Sequence, residues 1–321
     1  MSFAHDFNPE CKISIGMGSF ATAFILAGRP VAFKNVISSG RTPELKAEFE
    51  ALRHFYDVCN DDSFFALPRP LAYYDPAVPT SFVSADVSPI PKGRSRRHAL
   101  VYEGDFKALE LDRAAYAMDQ VLPIPLSIAR NIRKLFYPEG QEKATVPCLC
   151  RLYFGKEIET TPLGGRPSRF FNSSNFPLDV SRYTRIMEAA PDEYHLSVDD
   201  IVYGMGDMLG RLHWLGGYDG RDVEFVMGGA SISGITVYTI DFNQLRPWSR
   251  EKNEIHLLVE AFFINDPYYP RPRPEDARYQ KFCLDYLEAY PKESKEATEL
   301  AQSFLHAIET EQAKRDSAVC D

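Results

Sequence analysis

One stretch of the chain, residues 213–248, limits the possible folds more than any other because it combines two apolar runs with flanking acids. The runs Val223–Met227 and Ile235–Ile240 are rich in β-branched and aromatic residues, which favour strands, and a Gly/Ser-rich segment joins them. This pattern predicts a β-hairpin. A hairpin brings its entry and its exit to the same end, so we expect the flanking acids to lie close together.

Four acids flank the predicted strands: Asp219 and Asp222 lie on the way in, Glu224 is near the start of the first strand, and Asp241 follows the second. Carboxylates held close together raise one another's pKa unless a cation joins them. Each acid alone is adequately explained as a turn or cap residue. As a group, however, they predict a site, and we interpret all four as catalytic.

The composition bounds the class of protein. A chain of 321 residues can bury a large core in one domain or two lobes. A net charge of −9 gives no general affinity for nucleic acids or membranes. The chain has no apolar stretch of membrane length and no targeting leader, which predicts a cytoplasmic protein without a membrane partner.

The six cysteines do not have the spacing of a zinc site, so we expect no metal. Cys148 and Cys150 alternate along an apolar run at 145–154 that predicts a strand. This alternation places both thiols on one face, where we expect them to be buried and unpaired.

A glycine-rich turn lies within residues 12–36, which read as three strands joined by turns. Gly16 and Gly18 would let the backbone approach a ligand closely, and Ser19 follows them. These three residues are candidate substrate contacts. A hairpin that merely uses glycine in its turn is the alternative.

Two charged residues near the predicted third strand lie within apolar stretches of sequence. Lys34 ends that strand, and Glu48 falls within the apolar stripe of a helix predicted to start at Thr42 and Pro43. A carboxylate on a buried face needs a partner, and Lys34 is the nearest candidate. We expect Lys34 and Glu48 to pair and to contribute to substrate binding.

Basic residues concentrate in two places, a loop at 92–98 and a helix predicted within 121–140. The helical cations are three and four residues apart and therefore share a face. Both groups are candidate RNA-backbone contacts, with a plain solvated surface as the alternative. The candidates are Arg94, Arg96, Arg97, Arg130, Arg133 and Lys134.

The remaining segments predict a strand at 98–102 after a proline-rich passage and a loop at 160–177. Further helices are expected at 197–215, where Ser197 begins a capping box, and at 254–264, 275–290 and 293–315. His213, in the last turn of the first of these helices, is expected to be a packed ring or a helix-terminal cation.

The order of these features resembles the protein-kinase-like fold. The glycine hairpin, Val-Ala-Phe-Lys34 and the inward Glu48 resemble the kinase small lobe. Asp219, Glu224 and Asp241-Phe-Asn resemble the catalytic Asp, the metal-binding Asn and the Asp-Phe-Gly motif. The resemblance implies an α+β, two-lobed fold with a small β-rich lobe at 1–105 and a mainly helical lobe at 106–321 that carries the acidic site. Glu in place of Asn makes ordinary magnesium–ATP geometry unexpected.

Four longer runs carry a second resemblance: PIPLSIARNIRKLFYPE, HWLGGYDGRDVEFVMGG, IDFNQLRPW and AFFINDPYYPRP. They are similar to a fungal family of kinase-like-fold proteins catalogued as "zinc finger protein", which in turn resembles the fungal arginine-containing cyclodipeptide synthases. That resemblance implies arginyl-tRNA and a second aminoacyl-tRNA as partners, with the basic residues on the tRNA. It also implies that no cofactor is needed, because an aminoacyl ester is already activated.

The resemblance implies roles for the acids. Asp222 and Glu224 are expected to bind the arginine guanidinium in bidentate fashion, and Asp219 is expected to be the general base. Backbone N–H groups of the Gly16–Gly18 loop are expected to hold the developing oxyanion.

Two alternatives stay open at this stage. The first is an ATP-dependent small-molecule kinase, with Lys34 on the phosphates, Asp219 as base, and Glu224 and Asp241 on metal. The second is a non-catalytic pseudokinase that binds a partner.

Overall fold

The computed structural model describes residues 12–85, 100–137, 146–158, 175–191, 196–230 and 234–318. The fold is mixed α+β, with a β-sheet in the N-terminal region and helices later, and it is compatible with a two-lobed fold. Two compact units are present: unit 1 consists of Met1–Asp57 with Pro68–Val121, and unit 2 of Val58–Leu67 with Leu122–Asp321. Within the described ranges, no helix combines the length and apolar character needed to cross a bilayer.

Unit 1 is built on a six-stranded antiparallel sheet in the order β1-β2-β3-β6-β4-β5. Helix α1 covers Thr42–Cys59, and a short helix α2 covers Glu103–Ala108. The strands are β1 (Lys12–Met17), β2 (Ala21–Leu26), β3 (Val31–Val36), β4 (Pro70–Tyr74), β5 (Val83–Ser84) and β6 (Ala115–Asp119).

The first three strands and α1 confirm the sequence-based prediction. The apolar stripe of α1 is buried, including Leu45, Phe49 and Phe55. Phe49 packs against the rings of Tyr73 on β4 and Tyr116 on β6 at 5.8 and 5.9 Å between centroids. This packing holds the helix on the sheet and places Glu48, which is also buried, against β3.

The middle of unit 1 differs from the prediction. Residues 100–102 form no strand and lead into α2 instead. Two strands that were not expected, β4 and β6, lie inside the sheet, where β6 pairs with β3 on one side and β4 on the other. Because β6 lies beyond residue 105, the expected end of the small lobe, the contacts of unit 1 extend to Val121.

Unit 2 contains a four-stranded sheet in the order β10-β9-β7-β8, in which only the β7–β8 pair is parallel. The strands are β7 (Leu149–Leu152), β8 (Asn175–Leu178), β9 (Glu224–Gly229) and β10 (Ile235–Ile240). The helices are α3 (Leu126–Phe136), α4 (Val180–Glu188), α5 (Val198–Arg211), α6 (Ile255–Ile264), α7 (Ala277–Glu288) and α8 (Lys295–Ala318).

The hairpin expected from residues 213–248 is present as β9 and β10. Its register pairs Ile235 with Gly229 and Ile240 with Glu224. The first strand therefore starts where the second one ends, which brings Asp241 next to Glu224. The helices predicted after the hairpin are also present, as α6, α7 and α8.

Helix α5 supports the segment that enters the hairpin. Its N-cap is Ser197, whose hydroxyl accepts a hydrogen bond from the N–H of Asp200 at 3.0 Å, as predicted. A Cβ added at Gly206 would lie 2.1 Å from the carbonyl oxygen of Phe282, so α5 and α7 pack in close contact. The helix continues through a π-helical turn, Leu212–Gly216, and ends at Gly217, which has a φ of +71°.

The prediction that both Cys148 and Cys150 are buried is wrong for one of them. Cys150 is buried on β7, whereas Cys148 is exposed. The reason is that β7 begins at Leu149, so Cys148 precedes the strand and does not share its buried face.

Candidate functional site

Four carboxylates form a group at one end of the hairpin, here named the acid cluster: Asp222, Glu224, Asp241 and Asp266. Asp222 and Asp241, one at each end of the hairpin, have φ angles of +61° and +65°. Asp is among the few residues that tolerate this left-handed conformation, and such strained positions are often found at functional sites. Asp266 comes from the segment after α6. The structure thus brings three of the four predicted catalytic acids together and adds one that was not predicted.

Asn265 holds the entry to the hairpin in place. Its side-chain oxygen accepts a hydrogen bond from the N–H of Asp222 at 2.5 Å, and its Nδ2 donates to the carbonyl of Gly220 at 2.9 Å. The Asp222 carboxylate accepts a further hydrogen bond from the side-chain amide of Gln244. Because Asn265 precedes Asp266, these bonds tie two parts of the acid cluster to each other.

Arg151, on β7, is the positive charge at the centre of the group. It lies opposite Val226 in the sheet, two residues from Glu224, so both side chains point to the same face. The guanidinium forms an ion pair with Glu224 and lies 3.9 Å from Asp266. The hydroxyl of Tyr153, on the same side of the chain, donates to the Asp266 carboxylate at 3.1 Å.

The protonation of the acid cluster is set mainly by burial. Burial raises the pKa of Glu224 from 4.5 to about 7, with Arg151 lowering it and the other three acids raising it further. The pKa of Asp222 is also raised, first by burial and then by Asp241 and Asp266. A carboxylate with a pKa near 7 can accept and release a proton at neutral pH, which is what a general base requires.

A buried hydroxyl without a partner lies beside these acids. Tyr268 is 2% exposed, and its hydroxyl has no hydrogen-bond partner among the described residues. The Nε–H of Arg151 is also buried and without an acceptor there. Buried polar groups almost always have a partner in the native state. Two such groups at one place therefore indicate a position that a ligand or solvent fills.

Asp219, the expected base, lies in a different environment. Its carboxylate is fully buried and accepts three hydrogen bonds: from the N–H of Arg221 at 3.0 Å, and from the N–H and Nε of Arg246 at 3.0 and 2.6 Å. Arg246 is also ion-paired with Glu260. This geometry favours a structural role, in which Asp219 fixes the loop before the hairpin.

His213 is a packed ring rather than a helix-terminal cation. Its Nδ1 is 2.9 Å from the hydroxyl of Tyr286 and its Nε2 is 3.3 Å from the carbonyl oxygen of Asp219. Burial lowers the pKa of His213 to about 3. The ring is therefore neutral at physiological pH and supports the same loop as Asp219.

The predicted ion pair in unit 1 is confirmed. The Nζ of Lys34 lies 2.6 Å from the Oε1 of Glu48, and the Glu48 side chain is fully buried. The function of this pair in substrate binding stays a prediction.

The glycine turn of unit 1 has room around it. A Cβ added at Gly16 or Gly18 would meet no atom closer than 3.9 Å, and neither residue has a positive φ. Packing within the described chain therefore does not require glycine at these positions. Ser19 is exposed. Close approach of a ligand to this turn stays a prediction.

The predicted basic helix is present as α3. Arg130 and Lys134 are exposed on it and Arg133 is half-buried, while Arg94, Arg96 and Arg97 lie outside the described residues. Contact of these cations with RNA stays a prediction.

The sequence analysis missed four residues of the site: Arg151, Asn265, Asp266 and Tyr268. One signal was available for Arg151, since a charged residue in the apolar run Cys148–Phe154 needs a buried partner. The other three follow α6 in a proline-rich segment, whose proximity to the hairpin no local pattern reveals.

Comparison with known proteins gives one partial match. A family model described as "Zinc finger protein" matches residues 237–302, which include the later part of β10, Asp241, Asp266 and Tyr268. No curated protein matches the chain. Within the described ranges, no group of three or more His, Cys, Asp or Glu side chains is arranged so that it would hold a metal ion.

Proposed function

We propose that the chain is an aminoacyl-tRNA-dependent cyclodipeptide synthase that forms a cyclo(Arg-Xaa) diketopiperazine at the acid cluster. The observation that carries the proposal is the combination of acids and an unused donor there. Arg151 forms an ion pair with Glu224 and lies 3.9 Å from Asp266, and the buried Tyr268 hydroxyl has no partner among the described residues. A guanidinium binds carboxylates in bidentate pairs, so a group of carboxylates suits an arginine substrate.

Within this proposal the acids have different roles. Asp222 and Asp241, at the two ends of the hairpin, bind the substrate guanidinium. Glu224 acts as the general base because its pKa is about 7. Asp219, whose carboxylate is occupied by Arg246 and by backbone N–H groups, maintains the loop instead.

The proposed reaction consists of two aminolysis steps. In the first, the amino nitrogen of one aminoacyl group attacks the ester carbonyl carbon of the other, and Glu224 takes a proton from that nitrogen. The bond from the carbonyl carbon to the tRNA ribose breaks, and the ribose oxygen takes up a proton. In the second step, the free amine of the dipeptide attacks the remaining ester, which closes the ring and releases the second tRNA.

We further propose that the fold is kinase-like. Three antiparallel strands, β1 to β3, are followed by α1 with its buried Glu48 on Lys34. In unit 2, a loop with Asp219 leads into the β9–β10 hairpin, and Asp241 follows it. This order of elements supports the proposal. The glycine turn and the Lys34–Glu48 pair are proposed to contact the substrate.

One observation favours a second candidate, an ATP-dependent small-molecule kinase. The Lys34–Glu48 pair is the arrangement that holds a phosphate-binding lysine in kinase-like proteins. In that candidate Asp219 is the base, yet its carboxylate accepts three hydrogen bonds, two of them from Arg246. The acid cluster therefore supports the synthase better than the kinase.

A product assay separates the two candidates. The protein is incubated with a purified mixture of charged tRNAs that includes arginyl-tRNA, and products are identified by mass spectrometry. We expect a cyclic arginine dipeptide that survives ATP removal by apyrase and disappears after ribonuclease treatment. A mass gain of one phosphate on a small molecule in the presence of ATP would support the kinase. If neither product forms, both proposed activities are overturned.

A further inference from the structure

Two neighbouring tyrosines follow Asp266, and their side chains lie in different environments. Tyr268 and Tyr269 are both buried, and neither hydroxyl has a hydrogen-bond partner among the described residues. The pKa of Tyr269 is raised by burial alone, whereas the pKa of Tyr268 is raised by burial and then by Glu224. The rings differ in the same way: Tyr268 stacks on Tyr153, whose hydroxyl donates to Asp266, whereas Tyr269 packs against Phe262 and Phe282.

The position of Tyr268 is fixed by its backbone and by its ring. Its N–H donates to the carbonyl of Asp266 at 2.7 Å, and its own carbonyl accepts from the N–H of Phe154 at 3.0 Å. The ring stacks on Tyr153 at 5.1 Å between centroids and contacts Phe225 at 5.8 Å. These contacts fix the ring next to Tyr153, whose hydroxyl donates to Asp266.

Gly155 reinforces this arrangement. Its N–H donates to the carbonyl of Pro267 at 2.9 Å, and a Cβ at this position would lie 2.0 Å from the carbonyl oxygen of Tyr269. The segment after α6 is therefore in close backbone contact with the end of β7. This contact suits a ligand-binding donor. A donor that the fold already holds in one position loses little conformational entropy when the ligand binds.

The hydrogen-bonding groups at the acid cluster indicate what kind of ligand would bind there. Ionised carboxylates only accept hydrogen bonds, so a cationic donor suits the acid cluster. The Tyr268 hydroxyl and the buried Nε–H of Arg151 require an acceptor oxygen. An esterified arginine has both features, since its guanidinium and amino groups are cationic donors and its carbonyl oxygen is an acceptor.

We propose that the Tyr268 hydroxyl, together with the Nε–H of Arg151, donates hydrogen bonds to the carbonyl oxygen of the aminoacyl ester. The inference rests on the proposed function and extends it to the groups that hold the reacting carbonyl. As the new C–N bond forms, negative charge develops on this oxygen, and fixed donors stabilise it without reorganisation. These donors take the place of the Gly16–Gly18 loop as the oxyanion site.

The test compares two ligands and two matched variants by calorimetric titration. L-argininamide carries the guanidinium, the amine and a carbonyl oxygen, whereas agmatine lacks the carbonyl. We expect Tyr268→Phe to weaken binding of L-argininamide about tenfold, the effect of one hydrogen bond, and to leave agmatine unchanged. Tyr269→Phe removes the same hydroxyl from an apolar environment and is expected to change neither affinity.

A second variant covers the case in which Tyr268→Phe does not fold. Arg151→Lys keeps a positive charge beside Glu224 but has no Nε–H in the guanidinium position. Arg151→Lys is also expected to weaken the binding of L-argininamide more than the binding of agmatine. Both Phe variants are expected to keep the wild-type melting temperature, because neither hydroxyl has a partner among the described residues.

The outcomes separate the inference from the proposed function. Equal losses for both ligands, or no loss for either, would overturn the role of Tyr268. Wild-type protein that binds neither compound would overturn the cationic site and this inference with it. Wild-type protein that shows the predicted ligand difference but makes no cyclic dipeptide from charged tRNA would overturn the synthase activity and leave the carbonyl contact standing.

Discussion

Asp219 and the acid cluster, both in unit 2, differ in how their hydrogen-bonding capacity is met. Asp219 receives three hydrogen bonds, and Arg246 provides two of them. In the acid cluster, Arg151 forms an ion pair with Glu224 and lies 3.9 Å from Asp266, and the nearby Tyr268 hydroxyl has no partner among the described residues. The Asp219 carboxylate therefore has its partners within the chain, whereas a donor at the acid cluster has none among the described residues.

This difference shows that burial alone does not identify a functional acid. The side chain of Asp219 is fully buried, whereas that of Glu224 is 15% exposed, yet it is the pKa of Glu224 that is raised to about 7. A buried charge with all its bonds made stabilises one conformation. A buried donor that has no partner among the described residues, such as the Tyr268 hydroxyl, indicates a position for a ligand or solvent.

The largest expected effect is on turnover. Glu224→Gln keeps the shape of the side chain and removes the base, so we expect the rate of cyclic dipeptide formation to fall by roughly 100- to 10,000-fold. The measurement is the initial rate with charged tRNA.

Glu299→Gln is the control for this experiment. Glu299 is an exposed carboxylate on α8 that pairs with Lys295, so its loss is expected to leave the rate unchanged. If Glu224→Gln turned over as fast as the control, the acid cluster would be no more functional than a surface acid.

Stability tests Asp219 and its partner. Arg246→Met removes the partner of a fully buried carboxylate, and we expect the free energy of unfolding to fall by about 3 kcal/mol in a urea titration. Arg221→Met is the control, because the Arg221 side chain pairs with Glu260, which is largely exposed, and its loss is expected to cost less than about 1 kcal/mol. Equal losses in the two variants would show that Asp219 does not depend on its buried partner, and the contrast between the two groups would fail.

The pH dependence of stability tests the acid cluster. Because the folded pKa of Glu224 is raised from 4.5 to about 7, the folded protein binds this proton more tightly than the unfolded chain does. The stability due to protonated Glu224 is therefore fully present below pH 4.5 and is lost as the pH rises through 7. Relative to Glu224→Gln, the wild-type protein is expected to lose about 3 kcal/mol across this range. Parallel stability curves for the two proteins would contradict the raised pKa.

The sequence predicted those features whose signal is local. Strands β1 to β3, helix α1 and the hairpin follow from short apolar periodicities, and the pairing of Lys34 with Glu48 follows from one acid on an apolar stripe. Strands β4 and β6 were missed because β6 is stabilised by pairing with β3, far away in the sequence. Pro70 at the start of β4 also hides it, since proline is uncommon in strands.

The site could be predicted only in part for the same reason. The hairpin brings Glu224 and Asp241 together through its own register, which the sequence reveals. Arg151 reaches Glu224 through the pairing of β7 with β9, and Tyr268 reaches it from the segment after α6. The role of Asp219 as a base stays a prediction that its hydrogen bonds do not favour, and the sequence did not reveal those bonds because the partner, Arg246, lies beyond the hairpin.

The smallest expected effect extends the comparison to positive charges. Arg130 and Lys134 are exposed on α3, four residues apart, and neither forms an ion pair with another described residue. If they contact the tRNA backbone, Arg130→Ala with Lys134→Ala should reduce the slope of log K against log salt by about 2, because each cation releases roughly one counterion. Lys292→Ala with Lys295→Ala removes the same charge from lysines that pair with Glu288 and Glu299, and it is expected to leave the slope unchanged. An equal change of slope in both double variants would mean that tRNA responds to the net charge of the protein. A change of slope in the α3 variant alone would identify α3 as a surface whose positive charges pair with the substrate.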